Sequence, residues 1–204
     1  KSKGTGLWMQ RGANFVTGSK ELVITESGSE QFPYPVEIEE HSLDRLPTGA
    51  YTGNKKDEIL VGFYGSGVAG VGMLVDSTMH ERGVPYHMGR SKLDNFLIGD
   101  SGGDKVTTLT IEPGTILKFE DHTALDIQKF DNDEPAHGAI RAVGTAEKPI
   151  VFTSANPNPT PGIWQGLRFA ANAVAENRID HARIEYAGYD CGCILSTCSA
   201  ITSF

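Results

Sequence analysis

The chain has 204 residues and a net charge of −8, from 18 Lys and Arg against 26 Asp and Glu. An acidic chain without a clustered basic run lacks the footprint of a nucleic-acid binder, and it would meet a polyanionic glycan only through a bridging cation. No apolar run approaches the roughly 18 residues of a membrane-crossing helix, and the 24 glycines suit a turn-dense β protein.

In chain order, Leu7–Gln10 and Glu21–Thr25 read as strands joined by a Gly-containing link. Residues 29–57 read as an irregular excursion, with Pro33, Pro35 and the turn sequences Pro47-Thr-Gly49 and Thr52-Gly-Asn54. Inside it, Tyr34–Glu39 alternates like an edge strand and His41–Leu46 fits one short helical turn. Glu58–Tyr64 and Gly72–Val75 are expected strands around Gly65-Ser-Gly-Val-Ala-Gly70. That link has the glycine spacing of a dinucleotide loop. The fingerprint also needs a following helix and a distal acidic residue. A strand-like Val71–Val75 follows instead, so the glycines are read as permitting a turn. Val84–Met88 and Asp94–Ile98 are two more expected strands, and Asp100–Asp104 is a turn.

The rest of the chain is organised around Leu109–Gly188. Its segments are Thr110-Ile-Glu-Pro-Gly-Thr115, Gly144-Thr-Ala-Glu-Lys-Pro-Ile-Val-Phe-Thr-Ser154, Gly162-Ile-Trp-Gln-Gly-Leu-Arg-Phe169 and Ile184-Glu-Tyr-Ala-Gly188. Apolar residues recur at strand spacing, and Gly, Asn, Asp, Pro and Thr fill the turns. Strands this short cannot each bury a face alone, whereas stacking them along an axis does so. These segments resemble the right-handed parallel β-helix repeats, of pectate-lyase-like fold, found in large secreted or surface-attached bacterial proteins.

The resemblance implies an all-β, right-handed parallel β-helix, extracellular or at the cell surface. Residues 1–204 are expected to form one domain. Residues 1–28 would end one repeat unit, 29–108 would hold the irregular segment and linking strands, 109–188 the regular coils, and 189–204 a Cys-containing end. Shifting the chain by 160 aligns residues 6–28 with 166–188 at five of 23 positions, including Leu7 on Leu167 and Ile24 on Ile184. With its non-Met start, this leads to the expectation of a piece of a larger polypeptide. The partners expected are then the rest of that polypeptide or stacked copies, and a glycan, with no nucleic acid and no transmembrane helix.

Asp131-Asn-Asp-Glu134 offers Asp131, Asp133 and Glu134 as oxygen ligands for Ca²⁺, or else is a solvated turn. No other cofactor is expected. Cys191, Cys193 and Cys198 are the only cysteines. They read as a disulfide, Cys193 with Cys198, or as a zinc cluster, or as free thiols. Asp180, His181, Arg183 and Glu185 read as one strand, where a His with a carboxylate could do acid–base work or simply bond across coils. Trp8 could stack on a sugar, and Trp164 is expected over a turn between coils.

Glycosidases of the resembled fold carry Asn-Thr-Asp, Asp-Asp, Gly-His-Gly and Arg-Ile-Lys motifs, and this chain has none of them. Lyases of that fold pair Ca²⁺ with an Arg or Lys base, for which Lys118 and Arg141 are available. The first functional expectation is a non-catalytic structural or binding module. The others are a Ca²⁺-assisted polysaccharide lyase or a hydrolase, and a self-associating surface segment.

Overall fold

A computed structural model describes residues 3–10, 12–63, 72–92, 94–99, 105–127, 137–169 and 176–189, and the backbone of 201–203. The strands are short because each is one side of a coil. In order they are β1 (Leu7–Met9), β2 (Leu22–Val23), β3 (Val36–Glu39), the 3-10 helix η1 (Glu40–Arg45), β4 (Gly49–Ala50), β5 (Ile59–Gly62), β6 (Ser77–Met79), β7 (Tyr86–Met88) and β8 (Phe96–Ile98). They continue with β9 (Thr107–Ile111), β10 (Ile116–Phe119), β11 (Ala124–Ile127), β12 (Gly138–Val143), β13 (Ile150–Ser154), β14 (Gly166–Phe169), β15 (Arg178–Asp180), β16 (Ala182–Ile184) and β17 (Ile201–Ser203).

Every pairing among these strands is parallel, between successive coils. Sheet I has seven strands in the order β1-β3-β5-β7-β10-β13-β16. Sheet II is β8-β11-β14-β17, sheet III is β6-β9-β12-β15, and β2 pairs with β4. The chain is a nearly all-β parallel β-solenoid, as the sequence implied.

The period-two alternation builds the core. In β9, Leu109 and Ile111 point inward while Thr108 and Thr110 are half-buried. Register stacks apolar on apolar, so Val36, Ile59, Tyr86, Leu117, Phe152 and Ile184 form one inward column of sheet I. Full burial of a side chain such as Phe152 is worth about 1.5–3 kcal/mol. Corners need special backbone. His181, at φ +45°, turns the chain from β15 in sheet III straight into β16 in sheet I. Gly49 lies so close to the Leu22 carbonyl that a Cβ has no room.

Three local expectations are corrected. Tyr34–Glu39 does not give an edge strand, because β3 lies between β1 and β5. The excursion expected over residues 29–57 therefore carries a regular strand, with η1 following it. Pro33 and Pro35 precede the strand, where their missing N–H groups do no harm. Gly72–Val75 contributes only an isolated bridge, Met73 to Ile98. The 160-residue shift places Leu7 of sheet I on Leu167 of sheet II, so the two residues occupy different sides of the coil.

Candidate functional site

Sheet I turns one column of side chains outward, Trp8, Glu37, Leu60, His87, Lys118 and Thr153 in register. Glu58 precedes β5 and Glu120 follows β10, which brings both carboxylates beside His87. His87 Nδ1 lies 3.0 Å from Glu58 Oε2, and Nε2 lies 2.7 Å from Glu120 Oε1. Lys118 Nζ donates to Glu58 Oε1 at 2.6 Å, and Lys56 Nζ lies 3.1 Å from Glu58 Oε2. Lys56 also donates to the Tyr34 hydroxyl at 3.3 Å, and the Tyr34 ring packs 4.9 Å from the imidazole. The His87 side chain is 3% exposed and that of Glu58 8%, although both belong to the outer face.

Burial alone would raise the Glu58 carboxyl. Hydrogen bonds from His87 and Lys118, with Lys56 alongside, outweigh it and hold the group at about 2. The His87 hydrogen bond likewise holds Glu120 below the usual carboxylate range, against its partial burial. Burial pushes the Tyr34 phenol up, and the charges of Glu58 and Glu120 add to this. A general acid needs a raised carboxyl. The acids of this network are held in the charged form and engaged with their neighbours. Its contacts run between three successive coils and tie them together.

Beside the network, Arg90 lies over Gly62, where a Cβ has no room. It bonds Glu37 at 2.8 Å and approaches Glu39 at 3.5 Å. Next to Glu37, Trp8 is 59% exposed. On sheet II, Arg168 grips Asp126 with two bonds of 2.5 and 2.7 Å. Burial pushes the Asp126 carboxyl up, against the pull of Arg168.

The candidates from sequence fare differently. Asp131, Asp133 and Glu134 lie outside the described residues, as do Cys191, Cys193 and Cys198. Among the described residues no group of three or more His, Cys, Asp and Glu is placed to hold a metal. Gly65–Gly70 also lies outside them. Asp180, Arg183 and Glu185 do not share a strand. The left-handed His181 puts Asp180 on sheet III, bonded to Arg178 at 2.6 Å, while Arg183 faces Glu185 at 3.5 Å. Bonding across coils is seen nearby, where Asn177 Oδ1 accepts from Ile140 N at 2.9 Å. Trp164 is fully buried instead of capping a turn. It stacks on Phe119 at 4.3 Å and donates from Nε1 to the Glu185 carbonyl at 2.7 Å. Lys118 joins the His87 network and Arg141 is exposed on β12.

His87 is not among the candidates that the sequence offered. Its partners Glu58 and Glu120 lie 29 and 33 residues away, about one coil on either side, and the unequal spacing hides them from a fixed period.

No helix among the described residues is long and apolar enough to cross a membrane. No curated protein and no solved structure matches the chain. The pattern of the pectate-lyase-like β-helix domain matches residues 92–194, half of the chain, and covers the coils from β8 through β16. With those coils stacked in parallel register, the chain belongs to the pectate-lyase-like β-helix domain family.

Proposed function

We propose that this chain is a non-catalytic binding module of a larger secreted or cell-surface bacterial protein, presenting the outer face of sheet I to a glycan. The carrying observation is the Glu58–His87–Glu120 network, whose acids are charged, engaged and, at Glu58, buried. A face so clamped is a rigid platform. Trp8, exposed beside the Arg90-bound Glu37, supplies the ring and the hydrogen-bonding groups that sugar recognition uses.

A second reading, a polysaccharide lyase or hydrolase, draws on the same place. A lysine, an imidazole and two carboxylates meet on one sheet face. One experiment separates the two. The chain is incubated with neutral and acidic polysaccharides, with Ca²⁺ and with chelator, while reducing ends and 4,5-unsaturated products are followed and binding is measured in parallel. The binding reading expects retention on at least one glycan, weakened about ten-fold by Trp8→Ala, and no product. Unsaturated product lost in Lys118→Ala would replace it with the lyase reading. Reducing ends alone would replace it with a hydrolase.

A further inference from the structure

We propose that the cleft between residues 16–19 and the η1–β4 segment, with Arg82 in its wall, binds a small ligand through an oxyanion: a phosphate, sulfate or carboxylate group. This cleft shares no residue with the His87 network. It encloses about 360 Å³ and is lined by Thr17, Asp44, Arg45, His80 and Arg82 among others. That volume lies within the usual range for small-molecule sites.

The charges in the cleft pair off, with one left over. Asp44 faces Arg45 Nε at 3.6 Å and His80 Nε2 at 3.3 Å. His80 Nδ1 is taken by Glu112 at 2.8 Å. Arg82 meets no carboxylate within ion-pair distance among the described residues. Its one hydrogen bond among them runs from NH2 to the Leu46 carbonyl at 2.7 Å, and its buried Nε has no partner. Glu112 lies near enough to feel the Arg82 charge without bonding it, so the half-buried guanidinium keeps one carbonyl partner and no direct ion pair, a costly arrangement. It is out of place in a chain where acids outnumber bases 26 to 18.

Burial closes Nε to the cleft, so an oxyanion would meet the terminal guanidinium nitrogens, whose fork matches two oxygens at once and lowers that cost. A second donor is ready. The Thr17 hydroxyl oxygen accepts from Arg45, so its own proton is directed elsewhere. The negative charge of Asp44 does not bar the anion, since Arg45 and His80 already face it. Val16 and Pro47 provide an apolar wall for the carbon body of the ligand.

The test is a calorimetric titration of the whole chain with inorganic phosphate, sulfate and acetate, against chloride at equal ionic strength. Arg82→Gln and Thr17→Val are titrated alongside, with circular dichroism as the fold control. Saturable binding of at least one oxyanion is expected, weakened about ten-fold or more in Arg82→Gln and several-fold in Thr17→Val. Preference for phosphate and sulfate points to an ester, and preference for acetate to a carboxylate. If Arg82→Gln fails to fold, Thr17→Val and Arg45→Gln carry the comparison. Binding no better than chloride, or binding unchanged in the folded variants, overturns the proposal.

Discussion

His87 and His80 flank the same β6–β7 connection, and each places both ring nitrogens against carboxylates from other coils. Around His87 the contacts are 2.7 and 3.0 Å, and around His80 they are 2.8 and 3.3 Å. The topology of the contacts is the same and the surroundings are not. The His87 side chain is 3% exposed and Glu58 8%, whereas His80 is 27% exposed with carboxylates at 41% and 42%. Lys56 and Lys118 also converge on Glu58. Water solvates both arms of the second bridge but only the Glu120 arm of the first, where Glu120 is 31% exposed, so the buried His87–Glu58 pair is structural while the His80 bridge is close to neutral.

The largest expected difference comes from removing the central acid. Glu58→Ala leaves His87 and Lys118 without their shared anion at a buried position, and should cost about 3–5 kcal/mol in urea unfolding. A loss under about 1 kcal/mol would mean that water reaches this site and that the two histidines are alike.

Acid should tell the same story. Glu58 sits at about 2 in the folded chain against an ordinary 4.5, so the unfolded chain takes up the proton first. The stabilisation is therefore complete above about pH 4.5 and drains away as pH falls toward 2, by about 3 kcal/mol in all. Glu120, also held low, acts in the same direction. Urea midpoints between pH 6 and 3 should fall in the native chain and fall much less in Glu58→Gln. Equal slopes in the two would remove Glu58 from the account.

The solenoid was legible where turn chemistry and period-two alternation coincide, from Leu109 to Gly188. Register was less so, because coil length varies. Leu7 pairs with Val36, 29 positions on, while Leu117 pairs with Phe152, 35 positions on. The His87 network was illegible for the same reason. Its members belong to three coils, and no local motif reports a partner 29 or 33 residues away. Trp164 misled because a Trp between glycines looks like a turn cover, and only the stacked Phe119 and the Glu185 carbonyl explain its burial. The reading of Asp180, His181, Arg183 and Glu185 as one strand failed at a single torsion, the positive φ of His181, which sequence alternation cannot reveal.

The smallest expected effect is at His80. His80→Ala removes two contacts, but each acid keeps another partner. Glu112 Oε2 still accepts from Glu81 N at 2.9 Å, and Asp44 still faces Arg45 at 3.6 Å. Exposed pairs of this kind are worth up to about 1 kcal/mol, so the unfolding free energy should change by no more than that. His80 also follows the strand that packs on η1, and η1 carries Asp44 and Arg45 into the Arg82 cleft. If His80→Ala instead cost as much as Glu58→Ala, exposure would not be what separates the two bridges. His80 would then be the tie that holds η1 against the solenoid, and oxyanion binding in the cleft should be lost along with stability.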